Sequence, residues 1–539
     1  MAQRIRRWIE VTPSQFTHEA EGLNLVRSFL PENAPFRAWS NFEFRDGHGK
    51  WHEVDLLVLG QRRLHLVELK YYSGTLRGDD LTWRRDGHRA EDSPLKLARR
   101  KAQRLATKLQ DELIRWAQET GANVPEPRTV VPFVQESVFL HHPGLRCLLP
   151  PASRIDLFGL DGNEDHSGLP GISGRLLEPA TPQQSVGANR DQIIAALMKR
   201  IGIVLRRQRE AGTWVIDEEP LAEGEGWQDW PAFHRVATTD RGRIRFLVTP
   251  PGTTATERAK VRQVAEHEYR IMSRLANDRL LRPRDLVDSD LGVGLVYPLD
   301  ERFQRLDLWL ADHAASTPAE EQLKLLRQVA EAVAYAHGNR VVHRGLTPHA
   351  VLVHRLPDGE LRILVGDWRS AGTVAGPALT GLSGSGVTGL MGTADGGGQA
   401  GAMMHPGAVD IDRRLAEVFQ APEGVWNKDA DRVRLDVFAL GALAYYVLAG
   451  RPAAADRAAL RERLHRDNGL DLSADLPQVP SAVRALVLEA TRPAVSERLP
   501  DVRTFLERLA DAERALAGPV QRDQRLEQVD APPFQQVQG

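Results

Sequence analysis

Asp55, Glu68 and Lys70 lie within two apolar, branched runs, His52-Glu-Val-Asp-Leu-Leu-Val-Leu59 and Arg63-Leu-His-Leu-Val-Glu-Leu-Lys70, separated by a short turn at Gly60. Such runs predict paired buried strands, where charge is costly unless it has a purpose. Side chains alternate along a strand, so Glu68 and Lys70 share a face about 7 Å apart, and the neighbouring strand can present Asp55 beside them. Two carboxylates and an amine in one pocket are the minimum equipment for metal-assisted phosphodiester hydrolysis. Asp55 and Glu68 would hold Mg²⁺, and the Lys70 ammonium would orient water or steady phosphate charge. The plainer reading, a salt bridge between Lys70 and one acid, leaves a second buried carboxylate unpaired, which is rare.

The elements that must position these groups are legible on both sides. Thr12-Pro13-Ser14-Gln15 reads as a capping box with an early proline, opening a helix to about Leu30. Phe16, Leu23, Val26 and Leu30 form its apolar stripe; Glu19 falls inside that stripe and Glu21 outside it. Glu19 is therefore a third inward acid. Downstream, a helix from about Pro94 to Trp116 carries Lys96, Arg100, Arg104 and Lys108 at four-residue steps, with Leu105, Leu109 and Leu113 on another face. A basic ridge beside an acidic pocket suits a nucleic-acid backbone, although charge runs of this kind are usually solvated helix faces.

The order helix, three strands, helix, strand (near Val130 to Leu140), with Glu19, Asp55, Glu68 and Lys70 in place, resembles the PD-(D/E)xK nuclease superfamily and, more closely, the NERD or nuclease-related domain, over roughly residues 10 to 142. The resemblance implies an α/β fold and cleavage or binding of DNA, or of another nucleic acid, with Mg²⁺. Further strands near Val130 to Leu140 and Arg154 to Leu160 and a helix from Asn189 to Leu205 read as elaboration of this domain, 1–208, closing at the charged junction Arg206 to Gly212.

With 539 residues the chain has room for two or three domains. A net charge of −2 excludes a globally basic nucleic-acid binder, so such contacts must be local. Cys147 is the one cysteine, which excludes an internal disulfide framework and fits a reducing cytosol. Neither a signal peptide nor an apolar run long enough to cross a membrane is found, so a cytoplasmic protein without membrane partners is expected. Arginine outnumbers lysine 61 to 9, which makes each lysine conspicuous.

The second half turns on Ala334-Tyr-Ala-His-Gly-Asn-Arg-Val-Val-His-Arg-Gly-Leu-Thr-Pro-His-Ala-Val-Leu-Val353. It resembles the catalytic-loop region of protein kinases. Gly366-Asp367-Trp368-Arg369 sits where Asp-Phe-Gly belongs, after the strand pair 350–354 and 361–365. Ala421-Pro422-Glu423 matches Ala-Pro-Glu, Asp436 opens the helix that anchors the loop, and Arg498 falls at the arginine partner of Glu423. The resemblance implies an α+β bilobal fold over about 214–515.

Its reagents are missing. Gly345 stands for the catalytic aspartate, Thr347 for the loop lysine and Ala350 for the metal-binding asparagine. No lysine lies between Lys199 and Lys260, so the αC glutamate, Glu268, lacks its usual mate, for which Arg245 or Lys260 could stand in. The nucleotide loop keeps Gly224 and Gly226 but adds Glu223 and Glu225, which repel phosphates. Asp367 alone survives as a metal ligand, while His343 and Arg344 keep places that the kinase family uses structurally. Losing base, lysine and one metal ligand together should suppress phosphoryl transfer by many orders of magnitude, so a pseudokinase is expected.

Twelve glycines in the 40 residues 371–410 predict disorder in place of an activation segment, and 516–539 reads as a linker. A NERD domain followed by a kinase-like domain resembles PglW-like proteins of bacterial phage-defence systems (phage growth limitation and BREX), commonly longer chains with a competent Ser/Thr kinase. That implies other defence proteins as partners. Three functions stand open: a Mg²⁺-dependent nuclease governed by a pseudokinase, an atypical Ser/Thr kinase using ATP, and a non-catalytic DNA-binding scaffold.

Overall fold

The computed structural model describes residues 7–14, 16–123, 126–131, 134–162, 165–180, 188–205, 209–217, 219–224, 226–368, 372–373, 416–425 and 431–517. Gln15, the junction 206–208, Glu225 and Arg369 lie outside the described residues, as do the glycine-rich run apart from Gly372 and Thr373 and the tail beyond Ala517.

The N-terminal unit is built on a mixed sheet in the order Trp8–Glu10, Arg37–Arg45, Trp51–Leu59, Leu64–Lys70, Val134–Leu140, Leu157–Phe158, with Val204–Leu205 pairing alongside Arg37–Arg45. The hairpin that sets Asp55 beside Glu68 is antiparallel, with Leu56 opposite Val67. Leu64–Lys70 then pairs in parallel with Val134–Leu140, which requires the crossover that the long helix Pro94–Thr120 supplies. That helix buries Ala98, Ala102, Leu105, Leu109 and Leu113 against Trp39, Phe42 and Leu57 on one face of the sheet. Helix Thr17–Phe29 packs Leu23 and Val26 on the other face. Because both faces are covered, the central strands read as near-continuous apolar runs.

Several sequence expectations differ here. The helix expected from Asn189 to Leu205 ends at Arg200, and Val204–Leu205 is a strand of the sheet. The strand expected near Arg154 to Leu160 is a short helical turn, Pro151–Arg154, followed by the two-residue strand Leu157–Phe158. The first helix starts at Thr17, capped by Phe16 without a side-chain bond, and Ser14, expected in its first turn, meets the Asn41 amide at 2.9 Å. Val130 ends the short helix Pro127–Val130, so the following strand begins only at Val134. Unforeseen was a small sheet of Gly74–Gly78, Thr82–Arg85, Glu91–Asp92 and Leu145–Cys147.

The second unit is bilobal. An antiparallel sheet, in the order Arg209–Ala211, Trp214–Ile216, Trp227–His234, Arg241–Leu247, Gly292–Pro298, Asp285–Ser289, packs against helix Ala255–Met272. The helical lobe centres on Ala319–Gly338 and Arg432–Ala449, the latter buried almost throughout. This α/β unit followed by an α+β kinase-like unit is the fold class expected.

The units meet along charged seams. Glu43 receives Arg209 at 3.1 Å, and Gln228 exchanges two bonds with the main chain of Trp51, at 3.1 and 2.9 Å. Arg305 grips Asp92 through 2.8 and 3.0 Å bonds. Gly49 (φ +91°) sits so close to Thr249 that a Cβ would lie 1.9 Å from its carbonyl oxygen. The N-terminal unit therefore touches both lobes of its neighbour.

One buried base sets acid sensitivity. His65, 1% exposed, has no hydrogen-bond partner at Nδ1 among the described residues. Burial first, then Arg63 and Arg175, push its pKa down to about 3 from an ordinary 6.5. A depressed base contributes stability that is present above pH 6.5 and lost as pH falls toward 3. The N-terminal unit should therefore lose a few kcal/mol on acidification through that window. Melting temperature measured from pH 7 to 4 checks this, and His65→Leu should flatten the profile.

Candidate functional site

Glu19, Glu53, Asp55 and Lys70 line a cavity of about 740 Å³ at one end of the central hairpin, joined there by Asp217 and Glu219 of the second unit, which follow its strand Trp214–Ile216. Asp55 is buried, and one of its oxygens accepts the Leu69 amide at 2.8 Å, which fixes the carboxylate's orientation. Asn41 adopts a left-handed backbone (φ 54°). Oriented so that both ends of its amide are satisfied, it donates to Glu19 Oε1 at 3.0 Å and to the Asp55 carbonyl at 3.1 Å. A single amide thus ties the helix acid to the strand acid.

Glu68, expected beside Asp55 as a metal ligand, has two lysines against it. It is fully buried, with Oε1 3.1 Å from Lys70 Nζ and Oε2 2.9 Å from Lys101 Nζ. Burial pulls its pKa upward, but Lys101 and then Lys70 outweigh that and hold it at about 2. Both oxygens face ammonium groups, so Glu68 neutralises and orients lysines. The compact carboxylate group is instead Glu53, Asp55 and Glu219, whose oxygens all lie within 4.8 Å of one another. Three hard oxygen donors at that spacing suit one Mg²⁺ or a similar dication.

The helix ridge has other partners. Arg100 pairs with Glu223 of the second unit at 2.9 Å, Arg104 with Asp46 at 3.6 Å, and Lys96 with Asp92 at 3.7 Å. Lys108, half-buried, acts on Asp111. Two of these four cations thus meet acids of their own domain, and Arg100 is drawn into the interdomain seam.

Sequence reasoning passed over Lys101, Glu53, Asn41 and Glu219. Lys101 had a signal, since a lysine four residues before Leu105 sits in the apolar stripe. Glu53 had one too: it shares a strand face with Asp55. Glu219 is brought in from far along the chain and had none.

In the kinase-like cleft, Arg245 occupies the position expected of the lysine. It is buried, bonded twice to Asp229 at 2.7 Å and once to Asp367 at 2.5 Å, and stacked 4.4 Å from the centre of Trp227. Glu268 accepts from the Tyr297 hydroxyl at 2.6 Å. Asp367, which the motif order marks as the surviving metal ligand, is here engaged by the Arg245 guanidinium. Gly224 ends the strand Ala222–Gly224, Gly226 (φ +71°) lies two residues on, and the buried Glu223 meets Arg100 and Lys50. Burial raises the Glu223 pKa, but Lys50, His52 and Arg100 bring it down to about 2.

The loop scaffold is intact. Asp436 accepts the amides of His343 and Arg344, both at 2.7 Å, and meets His337 at 2.8 Å. His343 Nε2 lies 2.8 Å from the Gly366 carbonyl, and the Gly345 amide donates to His343 Nδ1 at 3.3 Å. Arg498 reaches Glu423 at 2.6 Å. These bonds fix a loop that offers no side chain at Gly345.

A nuclease-related domain (NERD) profile matches residues 18–140, and a protein tyrosine and serine/threonine kinase profile matches 251–369. The chain is 30% identical over 535 residues to the probable kinase PglW of Streptomyces coelicolor, covering 95% of this chain and 32% of that relative. It is 27% identical over 318 residues to the serine/threonine-protein kinase PkaA of the same organism, covering 57% of this chain and 51% of PkaA. A crystal structure of the Mycobacterium tuberculosis PknI kinase domain aligns with a TM-score of 0.38 at 19% identity, covering 56% of this chain and 97% of that domain. The chain thus spans about a third of the length of the first relative and half of the second. Among the described residues no helix is long and apolar enough to cross a membrane.

Proposed function

From a chain whose nuclease-related domain is followed by a protein-kinase domain, we propose that the N-terminal domain cleaves phosphodiester bonds in nucleic acid and that the kinase-like domain regulates it without transferring phosphate. The observation that carries this reading is the convergence of Glu53, Asp55 and Glu219 beside Lys70 in one cavity. These carboxylates would hold Mg²⁺, which when bound supplies Lewis acidity toward a phosphoryl oxygen. Lys70, aimed by Glu68, supports charge on the phosphate and orients water. Glu19, aimed by Asn41, is placed to accept a hydrogen bond from that water. Likeness to PglW-like proteins extends the proposal to a role in phage defence alongside other defence proteins.

Cleavage of labelled DNA and RNA with Mg²⁺ by the wild type and by Lys70→Ala tests the reading. A loss of about 10²-fold is expected for the variant, the scale of removing one preorganised charge. Background rates in both proteins would remove the nuclease claim.

For the kinase-like domain, the Arg245 network fills the place of the phosphate-gripping lysine, and Gly345 cannot accept a proton from a hydroxyl. Incubation with labelled ATP and Mg²⁺ should therefore give no incorporation above background. Incorporation that Asp367→Ala abolishes would make this domain a working kinase.

A further inference from the structure

The cavity has an aromatic wall that phosphodiester chemistry does not require. Phe16 and His18 stack with ring centres 5.6 Å apart at 22°, and His18 and Tyr71 at 5.5 Å and 21°. Tyr71 continues to His142 at 4.5 Å. Phe16 is 56% exposed and Tyr71 40%, although large rings are normally covered. Phe16, His18 and Tyr71 line the same cavity as Asp55, Glu53 and Lys70. His141, beneath Tyr71 at 5.2 Å, is 3% exposed and burial first, then His18 and His142, push its pKa down to about 4, so the base of the ladder is uncharged near neutrality.

We propose that this ladder is a stacking platform for unpaired bases, so that the substrate is a single-stranded nucleic acid or a frayed end whose backbone passes the carboxylates. The inference rests on the phosphodiesterase reading of the cavity and narrows its substrate class. Bases inside a duplex are already stacked on neighbours and cannot reach protein rings, whereas splayed bases stack on them readily. Electrostatics favours the same choice. The chain carries a net charge of −2, and Arg100, Arg104 and Lys96 face acids. A duplex-tracking cationic groove is therefore not offered by that helix, and the ring faces add affinity beside Lys70 and Arg85 of the cavity lining.

Fluorescence anisotropy on the full chain with Ca²⁺ in place of Mg²⁺ separates binding from cleavage. Oligothymidylate, oligouridylate and a blunt duplex of equal length are the probes. At least one single strand should bind about tenfold or more tighter than the duplex, and the two homopolymers distinguish DNA from RNA. Phe16→Ala and Tyr71→Ala should each weaken that binding about tenfold without changing the melting temperature, and Tyr71→Phe should retain it. Its salt dependence should be shallow, because few phosphate contacts are made. Equal affinity for duplex and single strands, or ladder variants that bind like the wild type, would overturn the proposal. Mg²⁺-dependent duplex cleavage untouched by the ladder variants would sink the platform and leave the nuclease reading standing. Ladder-dependent single-strand binding without any cleavage would sink the nuclease reading and leave the platform.

Discussion

Replacing Lys101 with alanine is expected to destabilise the N-terminal domain by about 3–5 kcal/mol, the scale of breaking a buried ion pair from one side. Lys101 is 3% exposed and its ammonium lies 2.9 Å from Glu68, a carboxylate with no exposed surface. Burial lowers the Lys101 pKa, but Glu68 outweighs that and raises it. Without Lys101, Glu68 keeps only Lys70 and must either stay charged in the interior or take up a proton. The sign follows from its depressed pKa of about 2: the stability Glu68 contributes is present above an ordinary 4.5 and lost as pH falls toward 2. In Lys101→Ala that acid transition should move to higher pH. Urea denaturation at pH 7 and at pH 4 measures both effects. Lys101→Met with Glu68→Gln, which removes both charges together, should recover much of the loss, because neutral replacements of buried pairs are often tolerated. A Lys101→Ala penalty below about 1 kcal/mol would mean the pair is solvated and worth no more than a surface bridge.

Asp55→Asn is expected to reduce Mg²⁺-dependent cleavage by about 10³-fold or more while leaving the fold in place. The asparagine carbonyl can still accept the Leu69 amide that Asp55 accepts at 2.8 Å, so the strand pairing survives. What is lost is one negative charge at the centre of three carboxylates, and a dication site depends on that charge. Glu219→Gln is the informative contrast, since Glu219 is exposed and comes from the kinase-like unit, after its strand Trp214–Ile216. It should raise the Mg²⁺ concentration needed for half-maximal rate about tenfold while sparing the rate at saturation. Single-turnover rates across a Mg²⁺ titration distinguish the two behaviours.

Much of this architecture was legible because periodicity and motif order act locally. The apolar, branched runs around Asp55 and Glu68 read as buried strands and are so, and Glu19 fell on the inward side of its helix. The catalytic-loop landmarks fixed the second fold through residues such as Asp436 and Arg498 that bond across it. What stayed hidden depended on long-range placement. Strand alternation shows which face Glu68 takes but not that Lys101, on a helix 33 residues away, is set against it. The helix expected to open at Thr12 to Gln15 starts only at Thr17, and local sequence does not show that Ser14 meets Asn41, 27 residues on. The four-residue spacing of the ridge on Pro94–Thr120 does not show that Glu223, 123 residues from Arg100, meets it. Glu219 could not have been found at all without the folded contact between the units.

Calorimetric titration of Mg²⁺ into the full chain, compared with Asp55→Asn, tests the central claim most directly, because it needs no substrate and no assumption about DNA or RNA. One cation should bind the wild type, with the heat of binding abolished in Asp55→Asn. Binding of equal affinity in both proteins, or none in the wild type, would contradict a dication held by Glu53, Asp55 and Glu219.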